Sequence, residues 1–140
     1  MKPNFEGIIK FILAHYPPAL EWDQIAFYKW IQWSLGESFL VTVLDNNDEM
    51  VGLGVAHPIM HDQGEDSLDQ EGDTVFVDLA IALNYEAFQM LGFAFIDRFG
   101  AREYVAWREA GHGFKQRTHS FARFRRNLFR MKKHQLQQVR

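Results

Sequence analysis

The sequence contains no cysteine, which excludes a disulfide framework, a thiol nucleophile and a thiolate metal site. A reducing compartment fits that absence, and the cytoplasm is the expected location. No apolar run reaches the roughly 18 residues that a membrane span requires. The stretch from Ile8 to Ala14 is too short to cross a bilayer, and no small-residue cleavage site follows it. Neither export nor membrane insertion is therefore expected.

What is present describes a globular chain. Of 140 residues, 47% are apolar and 15% aromatic, with thirteen Phe and four Trp, far richer in both than a disordered polymer. That length suits one domain over residues 1–140 with a single buried core. The net charge of −3 conceals a split. Seven acidic residues and no basic one lie between Asp62 and Asp78, and nine Lys or Arg and no acid lie from Lys115 onward. An acidic loop over 58–73 and a basic C-terminal helix over about 120–133 are the expected features; the plainer reading is two solvated faces that attract each other.

The periodicity predicts an α+β domain. Asn4 caps a helix with Phe5, Ile8, Ile9 and Ile12 on one side, and Tyr16-Pro17-Pro18 ends it. A second helix places Trp22, Ile25, Ala26, Trp30 and Trp33 on its inner stripe, with Gly36 as terminator. Phe39–Leu44 and Met50–Ala56 read as a hairpin about Asp45-Asn46-Asn47-Asp48. Gly52 and Gly54 leave one face of the second strand bare, which admits a close helix, a bulge or a ligand. A long polar loop is expected from His57 to Asp73. The apolar Thr74–Ala82 reads as a central strand. Asn84 caps a helix over Tyr85–Phe99 with Ala87, Phe88, Leu91, Phe95 and Phe99 inward and Gly100 at its end. Glu103–Arg108 is a further strand. After a loop over Glu109–Gly113, Ser120 caps a final helix carrying Phe121, Phe124 and Leu128, edged by Arg123, Arg126 and Arg130.

This order of elements, with the hairpin Phe39–His57, strand Thr74–Ala82, helix Tyr85–Phe99 and strand Glu103–Trp107, resembles the acyl-CoA N-acyltransferase (GNAT) fold. The resemblance implies a three-layer α/β/α architecture with a central, mostly antiparallel sheet, whose strands before and after the central helix splay apart to admit a pantetheine arm. It implies that the backbone of Leu79, Ala80 and Ile81 holds that arm and that the turn around Asn84 and Tyr85 meets the phosphates. The chain departs from the family's Arg/Gln-x-x-Gly-x-Gly/Ala phosphate loop, having Ala82-Leu83-Asn84-Tyr85-Glu86-Ala87 there. A branch without that loop, the acyltransferases that activate RTX toxins by acylating lysine, is also similar in layout. It relies on a His after the first helix and an Asp in the central strand, matched here by His15 and Asp78.

The expected activity is transfer of an acyl group from a thioester, acyl-CoA or acyl carrier protein, to an amine or protein lysine. Asp78 interrupts an apolar strand, where a carboxylate must be paired, hydrogen-bonded or protonated; it could serve as base or orient a histidine, or simply be a structural partner. His15 is the candidate general base, with a surface histidine at a helix C-terminus as its plainer reading. His57, His61 and Asp62, completed by His112 or His119, supply metal-ligand residue types, but a His-x-x-x-His pair converges only on a helix and Pro58 opposes one, so no metal is expected. The basic C-terminal segment carries phenylalanines at core spacing, which argues against nucleic-acid binding; it also suits docking of an acidic carrier. The Trp-rich second helix reads as core, with a homodimer face as the other option. The rival function is a non-catalytic GNAT-like module that binds a partner through its basic segment or its Trp helix.

Overall fold

The computed structural model describes residues 4–61, 67–100, 102–109 and 115–127. Helix α1 (Phe5–His15) starts where the Asn4 side chain accepts the Gly7 N–H at 2.7 Å. Pro17-Pro18 do more than stop it: they open a short 3-10 helix, Pro17–Glu21, as proline at the first helical positions favours. Helix α2 (Gln24–Gly36) is capped by Asp23 and runs through Gly36. The chain reverses at Ser38, whose φ of 61° is left-handed, and Arg98 donates to the carbonyls of Ser38 and Glu37.

Strands β1 (Leu40–Leu44), β2 (Met50–Ile59), β3 (Thr74–Ala82), β4 (Tyr104–Glu109) and β5 (Lys115–Ser120) form one sheet in the order β1-β2-β3-β4-β5. Only β3 and β4 run parallel, and α3 (Tyr85–Phe99) makes the crossover that a parallel pair requires. The class is therefore α+β with a mixed, mostly antiparallel sheet. Among the described residues no helix is long and apolar enough to cross a membrane.

The sheet is covered on both faces. Ile8, Ile9, Phe11 and Ile12 of α1, with Phe27 and Ile31 of α2, pack on Leu53, Val55, Leu79 and Ile81. On the other face Leu91, Phe95 and Phe99 of α3 pack on Val43, Ala56 and Val75, with Val77 beside them. A Cβ at Gly54 would lie 2.3 Å from Phe95 Cζ, so that bare position serves the close approach of α3.

Several expectations need correcting. The buried stripe of α2 is Phe27, Ile31 and Ser34, whereas Ile25 is 70% and Trp33 42% exposed; of the expected stripe, Trp30 packs partly buried against the core, and docking on Phe27 and Ile31 turns Ile25, Ala26 and Trp33 outward. The loop expected from His57 begins later, because β2 continues through His57 and Pro58 to Ile59, paired with Thr74. Phe88 is 39% exposed rather than inward. Residues 115–120 form an unforeseen edge strand; their polar, basic composition lacks the apolar alternation of a half-buried strand. Ser120 does cap the helix at 121–127, accepting the Arg123 N–H at 3.4 Å. Arg123 and Arg126 are exposed along it, while Leu128 and Arg130 lie outside the described residues.

Candidate functional site

The site grows from one irregularity in β3. Opposite β2, Val55 pairs with Leu79 while its neighbour Ala56 pairs with Val77, so Asp78 is an extra residue, a β-bulge. A bulge inverts the alternation of side chains. Val75 and Val77 thus face α3, but Leu79 and Ile81 face α1 and α2. Asp78 turns toward the latter side, where His57 stands on β2 in step with Leu53 and Val55. Its Oδ2 lies 2.6 Å from His57 Nδ1, with side-chain exposures of 22% and 10% respectively. The Phe76 ring flanks the imidazole at 5.8 Å between centroids.

At the same place the sheet forks. Strands β3 and β4 pair from Thr74 with Tyr104 to Val77 with Trp107 and no further. Beyond that point β3 continues bonded to β2 alone, and Arg108 and Glu109 continue bonded to β5. A bulge bends its strand and increases local twist, which accounts for the parting beside Asp78. Between the arms lies a cavity of about 580 Å³, within the range of small-molecule sites. Its wall is drawn from β3 (Val77 to Ala80), α3 (Phe88, Leu91, Phe95), β4 (Trp107, Arg108), the helix at 121–127 (Phe124) and Tyr16 after α1. Tyr16 belongs to one face of the sheet and α3 to the other, so the cleft passes through the sheet plane. Its charged side chains among the described residues are Asp78 and Arg108.

The expected site residues fall into two groups. Asp78, Leu79 and Ala80 line the cavity; Ile81 follows them on the β3 arm, paired with Leu53. Asn84 and Tyr85 stand at the N-terminus of α3, where the Asn84 side chain itself accepts the Ala87 N–H at 2.7 Å and Glu86 occupies the first turn. That end of the helix has its own cap and its own carboxylate. His15 is exposed and its ring lies against Phe11 at 4.6 Å; the histidine that meets Asp78 is His57. By sequence, the second strand ends at Ala56 and a long polar loop begins at His57, and a loop residue carries no register with β3. Tyr16, Trp107, Arg108 and Phe124 were also missed as wall residues, since they come from three separate segments.

A second histidine–carboxylate pair lies at the opposite end of β3. Asp73 Oδ2 is 2.6 Å from His61 Nδ1, and its Oδ1 accepts the His61 N–H and the Thr74 hydroxyl. Burial opposes the charge on Asp73 most strongly, but the hydrogen bonds from His61 and Thr74 and the His61 charge outweigh it and hold the carboxyl below its ordinary range. The Asp73 carbonyl accepts the N–H groups of Glu103 and Tyr104, so this pair ties the start of β4 to the loop before β3. His57 and His61 therefore each face a different carboxylate, and no cluster of metal-ligating residues occurs among the described residues. Asp62 and His112 lie outside them.

Comparison with family models, curated proteins and solved structures finds no match to this chain.

Proposed function

We propose that the protein is an N-acyltransferase of GNAT-like architecture, acting in the cytoplasm, that moves an acyl group from a thioester carrier to an amine or protein lysine. The observation that carries this reading is the fork between β3 and β4 with the Asp78 carboxylate on its wall. The β3 arm from Asp78 to Ala82 has no strand on its β4 side among the described residues, so its peptide groups offer an extended thioester arm the hydrogen bonds of a missing strand. The acyl end then lies among Phe76, Leu91, Phe95 and Trp107.

In the reaction the neutral amine attacks the thioester carbonyl carbon, a C–N bond forms and the C–S bond breaks. Asp78 accepts the proton that the nitrogen loses and passes it on to the departing thiolate, which leaves as the thiol and returns the carboxylate to its starting state. The self-capped N-terminus of α3, with no glycine and with Glu86 in its first turn, is poorly suited to a pyrophosphate. This favours a carrier-protein donor over acyl-CoA. The same observation supports the second reading, a non-catalytic GNAT-like module that binds a partner through its basic C-terminal segment or its Trp-rich helix.

Thermal unfolding with acetyl-CoA, longer acyl-CoAs and acyl carrier protein separates the two. A ligand at 100 times its Kd stabilises by about 2.7 kcal/mol, and at least one donor is expected to raise the Tm. Asp78→Asn is expected to lower transfer about 10²- to 10⁴-fold with little change in Tm. Absence of any shift at millimolar donor rejects the enzyme reading.

A further inference from the structure

We propose that His57 is the positioning residue for Asp78: it holds one carboxylate oxygen from beneath the cleft wall and so fixes how the base meets the amine. This role rests on the acyl-transfer reading. The imidazole is 8% exposed as a residue and is absent from the cavity lining, whereas Asp78 is part of it. His57 therefore acts through the carboxylate and not on substrate.

Three observations single out this pair. First, its bond crosses the two strands at the bulge, the one place where β3 carries an extra residue against β2. Asp78 stands two residues beyond Phe76, the residue opposite His57, so strand alternation puts it on the His57 face, and the bulge bends β3 at that point. Second, the comparable pair His61–Asp73 has a fully structural set of partners, with the carboxylate also taking a backbone N–H and a hydroxyl and the imidazole half exposed. The His57–Asp78 pair instead borders the cavity. Third, the His57 side chain is 10% exposed against 22% for Asp78, so the imidazole lies behind the carboxylate and Asp78 is the member that meets the cavity. With the Nδ1–H donated to Oδ2, the carboxylate is restricted to one rotamer while its face remains on the cavity wall. Arg108 and Tyr16 are the other titratable groups on that wall among the described residues.

The test uses the full chain and four proteins: wild type, His57→Ala, His57→Asn and Asp78→Asn. Asn places an amide donor near the position of Nδ1, so it restores the hydrogen bond without the imidazole. Transfer is measured from octanoyl-loaded acyl carrier protein to a lysine peptide as a function of pH. His57→Ala is expected to lower kcat on the order of 10- to 100-fold, with KM for the donor unchanged and the midpoint of the pH profile displaced. His57→Asn is expected to recover most of the rate. Independently of activity, the His57 imidazole ¹⁵N resonances followed by NMR at fixed pH are expected to move in Asp78→Asn, because Nδ1 loses its carboxylate partner.

Unmoved His57 resonances in Asp78→Asn overturn the pairing itself. Unchanged kcat and pH profile in a folded His57→Ala overturn the positioning role while leaving acyl transfer standing. No transfer by the wild type from this donor or from acyl-CoA overturns the acyl-transfer reading, and this role with it.

Discussion

Two polar side chains, one buried in α2 and one partly buried before β3, show how differently a polar group can be satisfied. Ser34 is fully buried in α2 and its hydroxyl has no hydrogen-bond partner among the described residues. An orphaned hydroxyl costs about 1–3 kcal/mol of desolvation, and alanine is the better helix former by about 0.5 kcal/mol. Ser34→Ala is therefore expected to raise the urea-unfolding free energy by about 1 kcal/mol. Asp73 is the opposite case, a carboxylate whose donors hold it ionised. Its folded-state pKa lies below the unfolded value, so its contribution to stability is present at neutral pH and is lost as pH falls through the folded value. Asp73→Asn is expected to lower the Tm at pH 7, and the gap to wild type is expected to close below about pH 4. A gap that persists unchanged at pH 3 would contradict this account.

The helices and strands show how tertiary packing overrides local pattern. Caps are decided within four residues, and Asn4, Asn84 and Ser120 bond the N–H groups of Gly7, Ala87 and Arg123 as their positions implied. In α2, by contrast, large side chains surround the helix, and periodicity does not reveal which of them dock. The helix turns Phe27 and Ile31 inward beside α1. Phe27→Ala is accordingly expected to cost about 3–5 kcal/mol, and Ile25→Ala to stay within about 0.5 kcal/mol of wild type. Chemical denaturation of the two variants checks the orientation directly. The β3 bulge shows the same limit, since an unbroken run of apolar residues around Asp78 conceals the residue at which the two faces exchange.

At the scale of the whole molecule, the cleft depends on β3 and β4 separating after Val77 and Trp107. Ala80 is exposed on the β3 arm and lines the opening, so a larger side chain there enters free space. Ala80→Leu is expected to preserve the Tm within about 0.5 kcal/mol of stability while abolishing the thermal shift produced by the thioester donor. An undiminished shift would place the donor elsewhere.

By itself the sequence determined the α+β class, the helix starts at Asn4, Asn84 and Ser120, the hairpin and the place of a carboxylate within the apolar strand β3, because each depends on neighbours a few residues away or on a simple apolar period. Tertiary structure alone decided that Asp78 meets His57 rather than His15, that 115–120 joins the sheet, and that Tyr16 and Phe124 complete one wall. Those contacts join residues far apart in the chain through strand register, and register is fixed by the helices packed on both faces of the sheet, not by the local sequence of either strand.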